Sequence, residues 1–89
     1  MPTTPKLSLY YYPTCWACRR VLRALDSLRM DVELRHIREN PDYRDELIAA
    51  RGRKRVPVLR VDHADGRTEW IPESRVIVQL LQAMDRASG

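Results

Sequence analysis

The sequence predicts an α/β domain with a four-stranded mixed sheet flanked by helices, in the element order β-α-β-α-β-β-α. Two observations support this prediction. The spacing of apolar residues switches repeatedly between that of a buried strand and that of an amphipathic helix. Proline, asparagine or glycine stands at most of the switches. Such an order combines a right-handed parallel crossover with an antiparallel hairpin, and helices on both faces of the sheet would bury every apolar stripe.

The first half of the chain predicts a strand, a helix and a second strand. Residues 7–12 are apolar and aromatic without helical spacing, which is typical of a buried strand. After Pro13 the apolar residues fall on one face of a helix, which we expect to run from residue 15 to about Arg29. Apolar and polar residues alternate over residues 31–37, and this alternation predicts the second strand.

The second half predicts a short helix, a hairpin and a final helix. Asn40 and Pro41 are typical of a helix start, and Gly52 is placed to end that helix. Residues 56–61 and 67–71 predict two strands, and the turn dipeptide between them makes a hairpin. The final helix follows the fourth strand. Its apolar stripe comprises Val76, Ile77, Leu80, Leu81 and Met84.

Size and composition exclude several classes of protein. The 89 residues have an ordinary apolar share of 44%, which argues against disorder. No apolar run approaches the roughly 18 residues that a membrane span requires. The first residues lack the charged start and the apolar stretch of a secretory signal. We therefore expect a cytoplasmic protein that does not bind a membrane.

The net charge of +4 raises the question of nucleic-acid binding. Most arginines are interleaved with acidic residues, and the one dense basic cluster is residues 51–55. No aromatic residue interleaves with this cluster, so the base-stacking part of a single-strand site is missing. We therefore expect no nucleic-acid partner.

Cys15 and Cys18 are the only cysteines of the chain. A bridge between them would close too small a loop to stabilise the fold, and structural disulfides are rare in the cytoplasm. His36 and His63 lack the spacing of a zinc finger, and a zinc ribbon would need a second cysteine pair. We therefore expect thiol chemistry and no metal, with both histidines as ordinary strand or surface residues.

The cysteine pair lies where the first predicted strand ends and the first predicted helix begins. The unpaired N–H groups and the positive end of the helix dipole favour the thiolate of Cys15, the reactive form. Cys18 follows one helical turn later, near enough to close a disulfide. Cys15 is therefore the predicted nucleophile and Cys18 the predicted resolving thiol. The alternative is a pair of half-buried cysteines without chemistry.

Val56 and Pro57 precede the third predicted strand. Proline lacks a backbone donor, so within a sheet it belongs at the first residue of a strand. A cis Val56–Pro57 peptide is a hypothesis, since it would leave the Val56 backbone free to pair with an extended thiol substrate. The alternative is a trans proline that opens an ordinary strand.

Four segments in sequence order span nearly the whole chain. They are Tyr12-Pro13-Thr14-Cys15-Trp16-Ala17-Cys18, Arg44-Asp45-Glu46-Leu47 through Gly52, Val56-Pro57-Val58-Leu59 and Glu73-Ser74-Arg75-Val76-Ile77. Together they resemble the glutaredoxin family, with a second likeness to the N-terminal domain of glutathione S-transferases. The resemblance implies a thioredoxin-like fold and a single glutaredoxin-like domain over residues 1–89, with residues 1–6 as a flexible N-terminal tail.

The same resemblance implies a glutathione site. It makes Cys15 the nucleophile, makes the peptide before Pro57 cis, and pairs the cysteine of the tripeptide with the Val56 backbone. The γ-glutamyl end would lie at the start of the last helix, where Glu73 and Ser74 match the transferase-like motif. A helix N-terminus favours a carboxylate, and a serine hydroxyl can donate to it. The alternative role for Glu73 and Ser74 is helix capping.

The chain departs from the usual glutaredoxin pattern around this site. Trp16 and Ala17 replace the proline and tyrosine between the cysteines, Tyr12 replaces a lysine that holds the glycine carboxylate, and Arg55 replaces a threonine. Arg55 or Arg44 could supply the missing cation, because arginine pairs well with carboxylates. Trp16 could cover the apolar surface of a substrate or pack as a lid on Tyr12.

We predict a monomeric dithiol oxidoreductase that uses glutathione to reduce protein disulfides or glutathione mixed disulfides. One alternative is a thiol carrier recharged by thioredoxin reductase. A second is an iron–sulfur carrier in which two chains share a 2Fe–2S cluster through Cys15 and bound glutathione, since Trp16 replaces the proline that discourages such clusters in the family. A third is a non-catalytic glutathione-binding module, because 89 residues are too few for the helical second domain of a transferase.

Overall fold

The computed structural model describes residues 4–88, in which the elements follow the predicted order. The strands are β1 (Lys6–Tyr11), β2 (Val32–His36), β3 (Val58–Asp62) and β4 (Thr68–Pro72), and the helices are α1 (Trp16–Asp26), α2 (Pro41–Arg51) and α3 (Ser74–Ser88). The four strands form one sheet in the order β2-β1-β3-β4. β1 is parallel to β2 and antiparallel to β3, and β3 is antiparallel to β4. The predicted fold class is therefore confirmed.

One face of the sheet is apolar and packs against α1 and α3. Alternate residues of β1 and β3 supply it, because successive side chains of a strand point to opposite faces. The register places Leu7 opposite Val61 and Leu9 opposite Leu59. The buried residues of this core are Leu7, Leu9, Val21, Leu59, Val61, Ile77 and Leu81. Burying one large aliphatic side chain contributes about 1.5–3 kcal/mol, so this core holds both helices on the sheet.

Three segments of the chain meet at one edge of the sheet. The strand directions place Tyr10 of β1, Val58 of β3 and Pro72 of β4 side by side in one row. β1 leads into the start of α1 at this edge, and β4 leads into the start of α3. The loop between α2 and β3 enters the sheet at the same edge. Two helix N-termini and the Val56–Pro57 segment are therefore close together.

The opposite face of the sheet carries a polar network beneath α2. Tyr10 is fully buried and packs against Leu47 of α2. Its hydroxyl donates to Oε1 of Glu46 at 2.7 Å and accepts from Nη1 of Arg35 at 2.7 Å. Burial raises the pKa of Tyr10 above its ordinary value, so this hydroxyl keeps its proton at neutral pH. The network connects α2 to β1 and β2.

The helix ends follow local signals in the sequence. Asn40 caps the start of α2 with its side chain, and Gly52 ends the helix at a φ of 76°, as predicted. α1 ends at Asp26 rather than near Arg29. The reason is Ser27, whose N–H and hydroxyl both donate to carbonyl oxygens of the preceding turn and so close the helix early.

The predicted N-terminal tail, residues 1–6, lies partly outside the described residues. Residues 1–3 are not among those that the structure describes, and Lys6 is already the first residue of β1. None of the three helices found within residues 4–88 combines the length and the apolar character that a bilayer crossing needs.

Candidate functional site

Cys15 caps the N-terminus of α1. Its backbone is extended, with φ −76° and ψ 122°, which turns its side chain back over the first turn of the helix. The sulfur accepts a hydrogen bond from the Cys18 N–H at 3.3 Å, and the thiol donates to the Val56 carbonyl oxygen at 3.8 Å. The Cys18 N–H and the positive helix end both place partial positive charge beside this sulfur, whereas the contact with the Val56 carbonyl uses the thiol proton. Cys15 is half-buried, so its sulfur remains accessible.

Cys18 has the opposite surroundings. Its side chain is fully buried, and both cysteines are reduced. Burial raises the pKa of Cys18 to about 12, and a hydrogen bond to Cys15 acts in the same direction. The two thiols are adjacent, but Cys15 is half-buried and Cys18 has no access to solvent. The geometry therefore suits attack by Cys15 on an external sulfur, with Cys18 as a protonated thiol behind it.

The peptide bond between Val56 and Pro57 is cis, which confirms the hypothesis from the sequence. Pro57 is buried and directly precedes β3. The Val56 carbonyl faces Cys15, and within residues 4–88 no group accepts a hydrogen bond from the Val56 N–H. A backbone donor beside a thiol is available to an extended peptide that carries a sulfur.

Glu73 adopts a left-handed backbone conformation at the start of α3, with a φ of 74°. Residues other than glycine pay a steric cost there, and such positions are concentrated at functional sites. The Glu73 carbonyl accepts the Ile77 N–H at 3.0 Å, so Glu73 is the capping residue of α3. Ser74 follows as the first helical residue, with 9% of its surface exposed. Glu73 thus takes the capping position through its backbone carbonyl, and the roles of the Glu73 and Ser74 side chains stay predictions.

An open cleft of about 470 Å³ lies beside the Cys15–Val56 contact. The loop between α2 and β3 forms one wall, the start of α3 forms the other, and Ala17 of α1 lines one end. Of the predicted glutathione-binding residues, the cleft brings together Arg55, Val56, Pro57, Glu73 and Ser74. Cys15 adjoins it through Val56. These residues are far apart in sequence, and the fold places them at one edge of the sheet.

Two other predicted binding residues lie outside this cleft. Trp16 is 69% exposed and packs its ring on the Arg20 guanidinium, 4.7 Å from the ring centroid. Tyr12 lines a separate hollow with Arg44 and stacks on Arg38 at 3.8 Å. Of the two arginines proposed as the missing cation, Arg55 lines the cleft and Arg44 does not.

Three arginines of the cleft were not predicted as site residues. They are Arg51 and Arg53 on one wall and Arg75 on the other. The basic cluster of residues 51–55 is visible in the sequence, but only its Arg55 carries a signal for the cleft, as a candidate cation for a carboxylate. Arg75 gave no local signal, because it joins the others only through the strand order.

The two histidines lie away from the cleft. The His36 ring contacts Tyr11 at a centroid distance of 5.3 Å, and His63 pairs with Glu69. Within residues 4–88, no group of three or more histidine, cysteine or acidic side chains is placed to hold a metal ion.

Comparison with known proteins gives one family and several similar structures. The chain matches the family described as "Glutathione S-transferase, N-terminal domain" over residues 9–88. It resembles maleylacetoacetate isomerase from Anaeromyxobacter dehalogenans 2CP-1 at 28% identity and a TM-score of 0.67, covering 93% of this chain and 37% of that one. A structure of that isomerase with bound GSH is 25% identical, with a TM-score of 0.53, and the match covers 93% of this chain and 39% of that one.

The sigma class GST of Fasciola hepatica shares the fold at 22% identity and a TM-score of 0.51, with 96% of this chain and 40% of that chain covered. No curated protein sequence matches the chain. The chain thus spans between 37% and 40% of the length of these structures. The narrower likeness to glutaredoxins stays a prediction. Because the family match extends over residues 9–88, the chain belongs to the glutathione S-transferase N-terminal domain family.

Proposed function

We propose that this protein is a thiol–disulfide oxidoreductase that takes its electrons from glutathione. The observation that supports it best is the position of Cys15. Its sulfur caps α1, accepts the Cys18 N–H at 3.3 Å and lies 3.8 Å from the Val56 carbonyl oxygen. Disulfide exchange requires an accessible sulfur nucleophile, and Cys15 is the half-buried thiol of the pair.

The cleft supports glutathione as the co-substrate. Glutathione is a tripeptide with a thiol and two carboxylates, so it needs a backbone partner near Cys15 and cations further out. The Val56 N–H can be the backbone partner. Arg55 and the positive end of α3 at Ser74 can supply the positive charge for the carboxylates. In addition, structures of the related isomerase hold GSH or dicarboxyethyl glutathione with citrate in the active site.

The reaction begins with the Cys15 thiolate. It attacks one sulfur of the substrate disulfide, forms a mixed disulfide with it and releases the other sulfur as a thiolate. In a dithiol route, Cys18 then loses its proton and attacks Cys15, which releases the second substrate thiolate and leaves a Cys15–Cys18 disulfide. Two glutathione thiols reduce that disulfide and leave together as glutathione disulfide, so electrons and protons balance.

The raised pKa of Cys18 favours a second, monothiol route for glutathione mixed disulfides. Here Cys15 takes the glutathione sulfur from the substrate and frees the substrate thiolate. A second glutathione thiolate then attacks the bound glutathione sulfur, glutathione disulfide leaves, and the Cys15 thiolate is restored. Because the buried Cys18 thiol is protonated at neutral pH, free glutathione competes well for this last step.

An assay coupled to glutathione reductase tests the proposal. The substrates are a glutathione mixed disulfide and a protein disulfide, and the variants are Cys15→Ser and Cys18→Ser. We expect Cys15→Ser to fall to the uncatalysed rate with both substrates. Cys18→Ser should keep the rate with the mixed disulfide within about threefold, because the monothiol route does not use Cys18.

Two results would contradict these roles. Equal losses from both serine variants on the mixed disulfide would remove the distinction between nucleophile and resolving thiol. Turnover with thioredoxin reductase and none with glutathione would exclude glutathione as the electron donor and favour the thiol carrier that thioredoxin reductase recharges. Both reductases are therefore run side by side on the same preparation.

A second candidate function is isomerisation or conjugation that uses glutathione. It is favoured by the family match over residues 9–88 and by the 28% identity to maleylacetoacetate isomerase. Such chemistry needs bound glutathione and no second thiol. A Cys18→Ser variant that isomerises or conjugates as fast as the parent, in a protein that reduces no disulfide, would support this candidate over the oxidoreductase.

A further inference from the structure

The cleft beside Cys15 carries four arginines, Arg51, Arg53, Arg55 and Arg75. None of the four guanidinium groups forms an ion pair or a hydrogen bond with another residue of the described chain. This separates them from Arg35, which is held by two carboxylates elsewhere in the molecule. The fold has therefore gathered four unpaired cations at one place.

Arg75 lies where the helix dipole disfavours a cation. It occupies the first turn of α3, which contains no acidic residue. A positive side chain at a helix N-terminus is destabilising, because the unpaired N–H groups already give that end a partial positive charge. Glu73 is the one carboxylate in the lining, so four guanidinium groups face a single acid and leave the cleft with a net charge of +3.

The net charge of +3 in the cleft is larger than glutathione can neutralise. Glutathione has two carboxylates and one ammonium group, a net charge of −1, which leaves the cleft positive when the tripeptide is bound. A ligand with several carboxylates near its sulfur would neutralise more of the lining, and arginine binds carboxylates through paired N–H donors.

We propose that the preferred substrates are disulfides of acidic peptides, in which the attacked cysteine is flanked by aspartate or glutamate. This inference rests on the proposed function, since Cys15 performs the attack. The peptide would extend along Val56 with its cysteine at Cys15. Its carboxylates would lie in the cleft, between the arginines of the α2–β3 side and Arg75. Cys15 bonds to the cysteine of the acidic peptide, the partner thiolate leaves, and glutathione supplies both electrons as in the reaction above.

The surroundings favour a peptide over a nucleic acid. No side chain in the described lining of the cleft is aromatic, so bases have no ring to stack on. The Val56 backbone offers instead a hydrogen-bond partner for an extended peptide. A single-stranded oligonucleotide is nevertheless included below as a competitor.

The test uses disulfide-linked dimers of one short peptide, with aspartate, asparagine or lysine on both sides of the cysteine. Flanking charge also changes the intrinsic reactivity of the sulfur, so each kcat/KM is divided by the rate constant for reduction of the same peptide by dithiothreitol. We expect the acidic peptide to exceed the basic one by about tenfold at low salt, mainly through KM. The ratio should shrink at about 0.5 M salt, where screening is strong.

Two variants of equal net charge separate the cleft from the charge of the whole protein. Arg53→Gln with Arg75→Gln should remove most of the preference for the acidic peptide. Arg29→Gln with Arg86→Gln removes the same charge outside the cleft lining and should keep the preference. Loss of the preference in both pairs would overturn the inference, because overall charge would then explain it.

The remaining outcomes distinguish this inference from the proposed function. Reduction of uncharged bis(2-hydroxyethyl) disulfide, with equal corrected kcat/KM for the three peptides, overturns the inference and leaves the oxidoreductase standing. Failure to reduce any disulfide, including the uncharged one, contradicts the oxidoreductase itself. Inhibition by an oligonucleotide at lower concentration than by the reduced acidic peptide would assign the arginines to nucleic acid and overturn the inference.

Discussion

Cys15 and Cys18 are separated by a single helical turn, and the fold gives them different surroundings. Cys15 is half-buried at the helix start, where the Cys18 N–H donates to its sulfur. Cys18 is fully buried, and burial raises its pKa to about 12. At the scale of the residue, the two thiols differ in access to solvent, which is the difference that the proposed roles of nucleophile and resolving thiol require.

Selective alkylation should reveal this difference. At about pH 8 we expect iodoacetamide to modify Cys15 and leave Cys18 unmodified, because the buried Cys18 thiol is protonated and out of reach. Mass spectrometry of the intact protein and its peptides measures the adducts. In urea, where both thiols are exposed, both should react. Equal labelling of the two cysteines in the folded protein would contradict the burial of Cys18.

The same pKa shift predicts how stability depends on pH. An unfolded cysteine ionises near pH 9 and folded Cys18 near pH 12, so between these values the folded state binds more protons. The free energy of unfolding should therefore fall as the pH rises from about 9 to about 12. Urea unfolding across this range should show a shallower fall for Cys18→Ala than for the parent, and parallel curves would contradict the shift.

At the scale of the element, the caps were the most predictable parts of the chain. Asn40 and Gly52 act within one turn of their own position, so the sequence alone located both ends of α2. The end of α1 was placed too late, because the apolar stripe continues to Leu28 while Ser27 closes the helix. Apolar spacing predicts which side chains pack against the core, and here such side chains continue beyond the last residue of the helix.

A substitution at Gly52 tests the cap of α2. Its φ of 76° lies in the left-handed region, and an added Cβ would meet nothing within 4 Å. Gly52→Ala should therefore lose about 1 kcal/mol of unfolding free energy from backbone conformation alone. Gly52→Asn is the matched control, because asparagine adopts this conformation more easily, and it should lose less. Urea unfolding compares them, and equal losses would contradict a conformational origin.

The candidate site was predictable in its cysteines and only partly in its cleft. Cys15, Cys18 and the Val56–Pro57 pair carry local signals, and the structure brings Cys15 and Val56 into contact. Arg75 carries none. Its place opposite the α2–β3 loop depends on β4 lying beside β3, which is a property of strand pairing across the whole sheet.

At the scale of the molecule, the sheet has two unlike faces. The apolar face buries α1 and α3 through close packing of aliphatic side chains. The other face holds α2 partly through polar contacts, in which Glu46 of α2 pairs with Arg35 of β2 at 2.9 Å and both bond to the Tyr10 hydroxyl. Because α2 leads directly into the cleft wall that carries Arg51 and Arg53, the attachment of this helix to the sheet also positions that wall.

Removing one hydroxyl tests this attachment. Tyr10→Phe leaves the buried ring and deletes three hydrogen bonds, two of 2.7 Å and one of 3.4 Å from Arg60, which should cost about 1–3 kcal/mol of unfolding free energy. Hydrogen exchange should also quicken in α2. Tyr43→Phe makes the same chemical change within α2, where Tyr43 offers its ring to Arg35, and it should cost little. Similar costs for both would contradict the bridging role of the Tyr10 hydroxyl.

Trp16 stands between the two cysteines with 69% of its surface in solvent. Its ring packs on Arg20 in the first turns of α1, so a rearrangement of the cysteines on either side of Trp16 would change its fluorescence, whereas Trp70 is half-buried on the sheet beside Tyr10. The emission of Trp16 should therefore differ between the dithiol and the disulfide protein. The proposed Cys15–Cys18 disulfide would thus have an optical indicator within the chain, with which its midpoint potential is titrated without any attached dye.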